Sequence, residues 1–313
     1  MKPLISVIVP VYRVENVLAR CLDSLCRQSL QNIEVLLIDD ASPDCCGEIC
    51  EKYARNDSRF KVFHHNKNRG LSAARNTGIA HVSADYLMFV DSDDYVHEDF
   101  CKLPFDCAIQ YGVDIVMFCR QRIEMLGLIT SLLSKKEKID TGFKTKYEAL
   151  DISGGGVWSK LYRKSLFESI KFPEGFFYED IGVMHRIILQ ADSFYYIDKV
   201  LYYYCYRKGS ISTLRTQKAL KDFCEMSMQK YHDLASYGYP ADKLRRLLTV
   251  TALRYCIYKK TDWKDTDYVY YCNMLLSENK VPESFTGYQK ILFILWKYCT
   301  PLFDMICVLW GKR

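Results

Sequence analysis

Ile5–Tyr12 (ISVIVPVY) is a near-continuous apolar run rich in β-branched residues, with Pro10, Val11 and Tyr12 at its end. Such a run reads as a strand buried on both faces, the signature of a parallel sheet. Glu15–Gln28 follows, with Val17, Leu18, Cys21, Leu22 and Leu25 at helical spacing. Ile33–Asp40 (IEVLLIDD) repeats the buried-strand pattern and ends in two carboxylates. The turn ASPD then leads into a predicted helix over Cys45–Asn56, a short strand at Phe60–His65, a loop and small-residue helix over Asn68–Val82, and a fourth strand, Asp85–Asp94 (DYLMFVDSDD). This alternation predicts a parallel, doubly wound α/β sheet. Ligands of such sheets bind at the carboxyl ends of the strands. Three polar motifs fall there and are expected to share one cleft: Pro10-Val11-Tyr12, Asp39-Asp40 and Asp91-Ser92-Asp93.

The pattern is weaker from residue 105 to 150. Asp114–Cys119 reads as a strand and Ser131–Lys146 as loop. A glycine turn, Gly154–Gly156, precedes VWSKLYRKSLF (157–167), and FPEGFFYEDIGVMHRII (172–188) reads as a loop opening a helix at Glu179. Phe194–Tyr206 is aromatic and extended, and from Thr216 the pattern turns helical. The expected organisation is a mostly parallel α/β domain over residues 1–212, with halves meeting near residue 100, and a helical region over 213–313.

Composition narrows the class. Of 313 residues, 49% are apolar and 14% aromatic, enough for a large core. The net charge of +5 is too small to argue for nucleic acid, and it suits an anionic substrate or a membrane surface. The chain opens Met1-Lys2-Pro3 and runs straight into a strand, without the pattern of a signal peptide, so the 14 cysteines are expected to be cytosolic thiols filling the core. Cys45, Cys46 and Cys50 lack the second ligand pair that a zinc site needs.

The chemistry gathers at the strand ends. Asp91 and Asp93, at i and i+2, can reach one side of a hard divalent cation such as Mg²⁺ or Mn²⁺. Of Asp39 and Asp40, one can cap the next helix and the other accept a hydrogen bond from a base N–H. Tyr12 can stack on a nucleobase or pack, and Arg75, with Lys67 and Arg69, can supply positive charge to a diphosphate or be solvated surface. His64 and His65, on a strand, read as structural.

PVYRVENVLARCLDSLCRQSLQNIEVLLIDDASPD, NRGLSAARNTGI and FVDSDD, in that order and spacing, resemble the inverting family-two glycosyltransferases of the GT-A fold. WSKLYRKSLF and FYEDIGV resemble the bacterial polysaccharide-assembly members, and the resemblance covers about residues 1–210. It implies a nucleotide-diphosphate sugar donor, UDP by family habit, and a Mn²⁺ or Mg²⁺ ion. It implies base contacts from Pro10, Tyr12 and Asp40, with Val11, Glu15 and Asp39 also on the nucleotide-sugar side, and Arg75 by the base or diphosphate. Asp91 would face the ribose or sugar, with Ser92 among the nucleotide-sugar-binding residues and Asp93 the principal metal ligand beside Asp91. The chain has Arg13 where many members have Asn, and Ala41 where many have Gly.

The acceptor hydroxyl needs a base opposite the leaving group. By resemblance to the family's ED pair, Asp180 is the base and Glu179 orients the acceptor; otherwise both complement a helix dipole. Trp158, Lys160, His185 (or Arg186) and Arg207 are candidates for the acceptor side. The implied acceptor is a saccharide or lipid-linked saccharide in surface polysaccharide synthesis, handled in the cytoplasm or at the inner face of its membrane. Residues 286–313 are apolar and aromatic but interrupted by Lys297, Pro301 and Asp304, which suits two amphipathic helices better than a membrane span. That stripe lies at a bilayer interface or packs on protein.

Rival readings fare worse. A haloacid-dehalogenase-type phosphotransferase needs its nucleophile near the start of the chain, and a dinucleotide oxidoreductase needs glycines where this chain reads PVYRVEN. A non-catalytic sugar-nucleotide-binding scaffold subunit is the alternative from another class, against which Asp91, Asp93 and Asp180 stand intact.

Overall fold

The structure is a computed structural model that describes residues 2–124, 139–153, 156–206, 216–244, 247, 287–299, 301, 302 and 305. The chain divides into two compact units, Met1–Thr213 and Leu214–Arg313.

The first unit follows the hydrophobic pattern closely through its first hundred residues. Strands β1 (Ile5–Val11) and β2 (Ile33–Asp39) are buried at every position. Between them α1 (Glu15–Cys26) buries Leu18, Cys21, Leu22 and Leu25, the stripe its spacing predicts. Each such side chain, fully withdrawn from water, contributes about 1.5–3 kcal/mol. Helix α2 (Cys46–Asn56) leads to β3 (Phe60–His64), and α3 (Leu71–His81) to β4 (Tyr86–Phe89). The small residues of α3 set how close it lies to the sheet. A Cβ on Gly78 would stand 2.4 Å from Cγ2 of Ile8 in β1, so the helix backbone rests directly on the strand. The described cysteines are free thiols, with Cys21, Cys46, Cys50 and Cys101 buried as core fillers.

The expected architecture holds, but the sheet is mixed. Strands β1 to β4 are parallel, in the order β3-β2-β1-β4. After β5 (Tyr95–Val96) and α4 (Lys102–Tyr111) comes β6 (Ile115–Glu124), longer than the apolar run predicts. Next are β7 (Gly142–Lys144), α5 (Lys146–Ile152) and β8 (Lys160–Arg163). Strand β8 lies antiparallel between β4 and β6. Helix α6 (Glu179–Gln190) and β9 (Phe194–Tyr206) stand where the sequence places them, and β9 runs parallel to β6 while pairing antiparallel with β5 and β7. The region read as loop up to Lys146 thus contains β7 and the start of α5. The overlooked signal for α5 is its capping box, Thr145 with Glu148.

In the second unit the described helices are α7 (Gln217–Ser236) and α8 (Gly287–Tyr298). Among the described residues no helix is long and apolar enough to cross a membrane.

One buried tie fixes the acidic turn between β4 and β5. The Asp94 N–H donates to the Asp91 carbonyl at 3.0 Å. The Asp94 carboxylate, fully buried, accepts from the Tyr202 hydroxyl at 2.6 Å and from the Cys205 N–H at 2.7 Å, both on β9. The same hydroxyl accepts from the Asp91 N–H at 3.2 Å. Burial, with repulsion from Asp91 and Asp93, pushes the Asp94 carboxyl up to about 8. Tyr202→Phe removes one donor and one acceptor from this turn, for an expected cost of about 1–3 kcal/mol. Thermal denaturation should show a lowered midpoint; an unchanged midpoint would mean that the phenol does not hold the turn.

Candidate active site

The three strand-end motifs stand side by side because β2, β1 and β4 are neighbours. Val11 pairs with Asp39, and the Asp40 N–H donates to the Val11 carbonyl at 3.0 Å. Tyr12 lies just beyond, 37% exposed, with the Arg13 guanidinium 5.3 Å from its ring centre. An exposed ring at a strand end is free to receive a flat ligand. Pro10 and Val11 are buried within β1.

The two carboxylates at the end of β2, Asp39 and the following Asp40, are held by His64 at the end of β3 and by His65 just after it. Asp39 pairs with His64 in the register. Its Oδ2 lies 2.8 Å from His64 Nδ1, and its Oδ1 accepts from the Ser42 N–H at 3.0 Å. Asp40 Oδ1 lies 2.6 Å from His65 Nδ1 and accepts from the Arg69 N–H at 2.8 Å; Oδ2 accepts from the Gly70 N–H at 2.7 Å. Asp40 is therefore the organiser of the Asn68–Gly70 loop, and neither aspartate caps α2. Glu15 is occupied locally as well: it accepts from the Cys45 N–H at 3.0 Å, tying the start of α1 to the start of α2. On sequence alone His64 and His65 read as structural. The signal that tied them to the site was the equal reach of two parallel strands, one ending in DD and the next in HH.

Arg75 departs most from expectation. The resemblance sets it by a base or diphosphate, whereas its guanidinium is buried between two carboxylates. One nitrogen donates to Glu179 at the start of α6, and the other to Asp91 Oδ1 at 2.9 Å. Its Cζ lies 5.4 Å from the Phe172 ring centre. The paired carboxylates hold its pKa above the usual arginine value despite burial. Glu179 is thus an anchor for Arg75, and its neighbour Asp180 is left on the partly exposed side of the helix start. Asp180 Oδ1 accepts from the Ile181 N–H at 2.9 Å. Burial, with repulsion from Glu179, pushes its carboxyl up to about 7, near the range where a carboxylate can take and give a proton at neutral pH. Tyr178, just before it, sits at φ 59°, a left-handed turn that aims the ED pair.

Asp91 and Asp93 are partly exposed, and Ser92 is buried in the turn between them. Arg20 braces this turn by donating to the Asp93 carbonyl at 2.8 Å. The turn concentrates more negative charge than the one shared guanidinium offsets. Among the described residues the cluster of three groups with ligand atoms within 4.8 Å of one another is His97, Glu98 and Asp99, beyond β5. The DSD turn thus offers a partial oxygen shell, which suits a Mg²⁺- or Mn²⁺-like cation that completes its shell with substrate phosphates and water.

The acceptor-side candidates scatter. Trp158 stacks on Tyr202 and Tyr204, with ring centres 5.0 and 5.6 Å away, and carries the Arg120 guanidinium 4.8 Å from its own centre. Its faces are committed to protein. Lys160 is buried, and its ammonium donates to the carbonyls of Ser153 at 3.0 Å and Gly156 at 2.7 Å, so it shapes the loop before β8. It also borders a cavity of about 280 Å³ with Met117, Tyr196 and Asp198. His185 is buried within α6, its Nδ1 3.3 Å from the Ile181 carbonyl, and Arg186 is one residue on. Arg207 lies outside the described residues.

Comparison with known proteins places the chain in a family. The family described as Glycosyl transferase family 2 matches residues 6–171. Glycosyltransferase GlyA of Streptococcus pneumoniae serotype 4 is 35% identical over 249 residues, covering 76% of this chain and 36% of that protein. The uncharacterized glycosyltransferase EpsJ of Bacillus subtilis is 35% identical over 239 residues, covering 73% of this chain and 69% of EpsJ. The chain therefore spans only about a third of GlyA's length but more than two thirds of EpsJ's. Among solved structures, S. aureus TarS 1-349 in complex with UDP-GlcNAc superposes with a TM-score of 0.71 at 20% identity, covering 97% of this chain and 89% of that one, a likeness of fold. On the family match, and with a sheet and strand-end cleft of this kind, the chain belongs to glycosyl transferase family 2 and has the GT-A fold.

Proposed function

We propose that the protein transfers a sugar from a nucleotide-diphosphate donor, a UDP-sugar, to a hydroxyl of a saccharide or lipid-linked saccharide acceptor, with inversion at the anomeric carbon. The observation that carries this reading is Asp180. It is a carboxyl raised to about 7 at the start of α6, linked through Glu179 and Arg75 to Asp91 of the DSD turn. A proton acceptor and a diphosphate-side carboxylate are thereby held in one frame. The UDP assignment draws support from the nucleotide named with TarS, whereas a more distant neighbour, a Pyrobaculum calidifontis mannosyltransferase, is named with GDP-Man and Mn²⁺.

In this reading the base lies against Tyr12 and the loop that Asp40 organises, and the diphosphate meets Asp91 and Asp93. Those two residues would hold the divalent cation, which offsets the charge that develops on the leaving diphosphate. The acceptor oxygen attacks the anomeric carbon from the side away from the diphosphate. A new C–O bond forms as the old one breaks, and the electron pair leaves on the nucleotide's terminal phosphate oxygen. Asp180 takes the hydroxyl proton on Oδ2, since Oδ1 is held by the Ile181 N–H. A single displacement inverts the configuration. Glu179 and Arg75 keep Asp180 in place and take no proton.

Helix α8 supports a partner at a membrane. Ile291, Ile294 and Tyr298, at i, i+3 and i+7, are 60%, 43% and 71% exposed, and Lys290 and Lys297 are the charged residues of that helix. An apolar stripe with cations fits an anionic bilayer surface, where a lipid-linked acceptor would reside. In this reading the chain works at the inner face of the cytoplasmic membrane.

UDP with Mn²⁺ should raise the thermal midpoint of the wild type, by about 2.7 kcal/mol in stability at a hundredfold excess over Kd. Asp93→Ala should lose the metal-dependent part; if no nucleotide stabilises the wild type, the scaffold reading takes over. Asp180→Asn should lower kcat by about 10²–10⁴-fold while leaving UDP binding intact. The wild-type kcat/KM should fall on the acid side with a midpoint at or below about 7, because the base works only when ionised and a bound cation favours the ionised form. Normal turnover by Asp180→Asn would remove it from the mechanism. Finally, the protein should sediment with vesicles containing phosphatidylglycerol and not with neutral phosphatidylcholine vesicles, and Ile291→Glu/Ile294→Glu should abolish this; equal recovery by both proteins would exclude α8 as the contact.

A further inference from the structure

The string NRGLSAARNTGI gives α3 two neighbouring polar residues, Arg75 and Asn76. Successive helical positions are about 100° apart, so the two side chains leave α3 in different directions. Arg75 reaches Asp91 and Glu179. Asn76 is half-buried and reaches Phe172, 96 positions along the chain. Its Nδ2 donates to the Phe172 carbonyl at 2.9 Å, and its Oδ1 accepts from the Phe172 N–H at 2.9 Å. One side-chain amide thus partners both backbone groups of one residue, as a neighbouring strand would; a carboxylate lacks the donor and a hydroxyl lacks the reach. Nδ2 also lies 3.3 Å from Oε1 of the exposed Glu174, a longer second contact.

Phe172 opens the segment that leads to the proposed base. Its ring is buried, meets Phe89 at the end of β4 edge-on with ring centres 5.7 Å apart, and lies 5.4 Å from the Arg75 Cζ. It is therefore the apolar wall beside the buried guanidinium, two residues from where the acidic turn begins. From Phe172 the chain runs outside helix and strand until Glu179, which Arg75 holds. Within this stretch the ring of Pro173 limits its own φ, and Gly175 and Tyr178 sit at φ 87° and 59°. Helix α3 ties the stretch at both ends, with Asn76 at its entrance and Arg75 at its exit. Asp180 is the next residue after the exit.

We propose that Asn76 is a positioning residue for the transfer: by holding the Phe172 backbone it sets where the start of α6, and with it Asp180, stands relative to the acidic turn. The proposal rests on the transferase reading and adds a residue that acts through Phe172. Without the Asn76 amide the buried N–H and C=O of Phe172 lose their partner, a cost the segment relieves by moving toward water. The ring beside Arg75 and the chain leading to Asp180 move with it. A displacement of about 1 Å at a reacting group costs up to about 10²-fold in rate.

The test follows UDP release by the full chain from UDP-GlcNAc, UDP-glucose and UDP-galactose with Mn²⁺, water taking the place of the acceptor hydroxyl. Asn76→Ala should lower kcat about tenfold or more, with the donor KM and the Kd for UDP with Mn²⁺ within about twofold of wild type. The acid-side midpoint of kcat should also move down, because Asp180 loses part of the burial and of the closeness to Glu179 that raise its carboxyl. A loss of stability alone lowers the thermal midpoint and leaves that pH midpoint in place. Asn76→Gln, which keeps donor and acceptor on a longer stem, should fall between the two in rate and in pH midpoint, so the test stands even where Asn76→Ala does not fold. Glu174→Gln leaves Phe172 held and should turn over at the wild-type rate. The proposal is overturned if the Asn76 variants keep the wild-type kcat and pH midpoint, if their loss lies in UDP affinity instead, or if Glu174→Gln loses as much as Asn76→Ala, which would place the effect in the Glu174 contact. A wild type that releases UDP from none of the three donors, or an Asp180→Asn variant that matches it, overturns the transferase reading and this one with it; dependence on Asp180 with unaffected Asn76 variants overturns this one alone.

Discussion

The site depends on one buried guanidinium. Arg75 touches Asp91, 16 positions along the chain, and Glu179, 104 positions along. Removing one partner from a buried pair of this kind costs about 3–5 kcal/mol, chiefly because the remaining charge is left without compensation. Arg75 therefore joins the donor-side turn to the helix that carries the proposed base, and it does so with a rigid fork instead of a flexible contact. Since the two carboxylates absorb its charge, the turn beyond it stays acidic, and that residual charge makes a divalent cation a fitting occupant.

The sheet reinforces this division. The parallel strands β3-β2-β1-β4 bring their carboxyl ends into one row, which is where a nucleotide can lie. The mixed half, β8-β6-β9-β5, closes the row from the other side. Its aromatic residues, Trp158, Tyr202 and Tyr204, pack against one another, and one of them fixes the acidic turn. A polar network with each member satisfied specifies geometry more tightly than apolar packing does. The acidic turn can thus be held by Asp94 and Tyr202 while Asp91 and Asp93 remain partly exposed.

Much of this was legible in the sequence. β1 to β4 announce themselves because strands buried on both faces leave long apolar runs, and the motifs at their ends are local strings. What the sequence hides is contact between strings. Nothing local tells whether Arg75 meets a phosphate or a glutamate 104 residues away; only the folded position of α6 decides it. Lys160 reads as a cleft cation, yet it satisfies carbonyls in its own loop, a choice set by burial. Trp158 reads as an acceptor platform, yet both neighbouring tyrosines and Arg120 occupy it. Strand β7 and helix α5 were missed because short, half-polar elements are defined by their partners and caps rather than by periodicity.

The two departures from the family's usual residues gain a meaning from backbone geometry. Arg13 and Ala41 sit at φ 53° and 54°, in the left-handed region where asparagine and glycine are at ease. An ordinary L residue there carries about 1 kcal/mol of strain. Glycine at position 41 would relieve that strain, but it would also enlarge the conformational freedom of the unfolded chain by a similar amount. The two effects nearly cancel, so such positions can exchange residues over evolutionary time at little net change in stability.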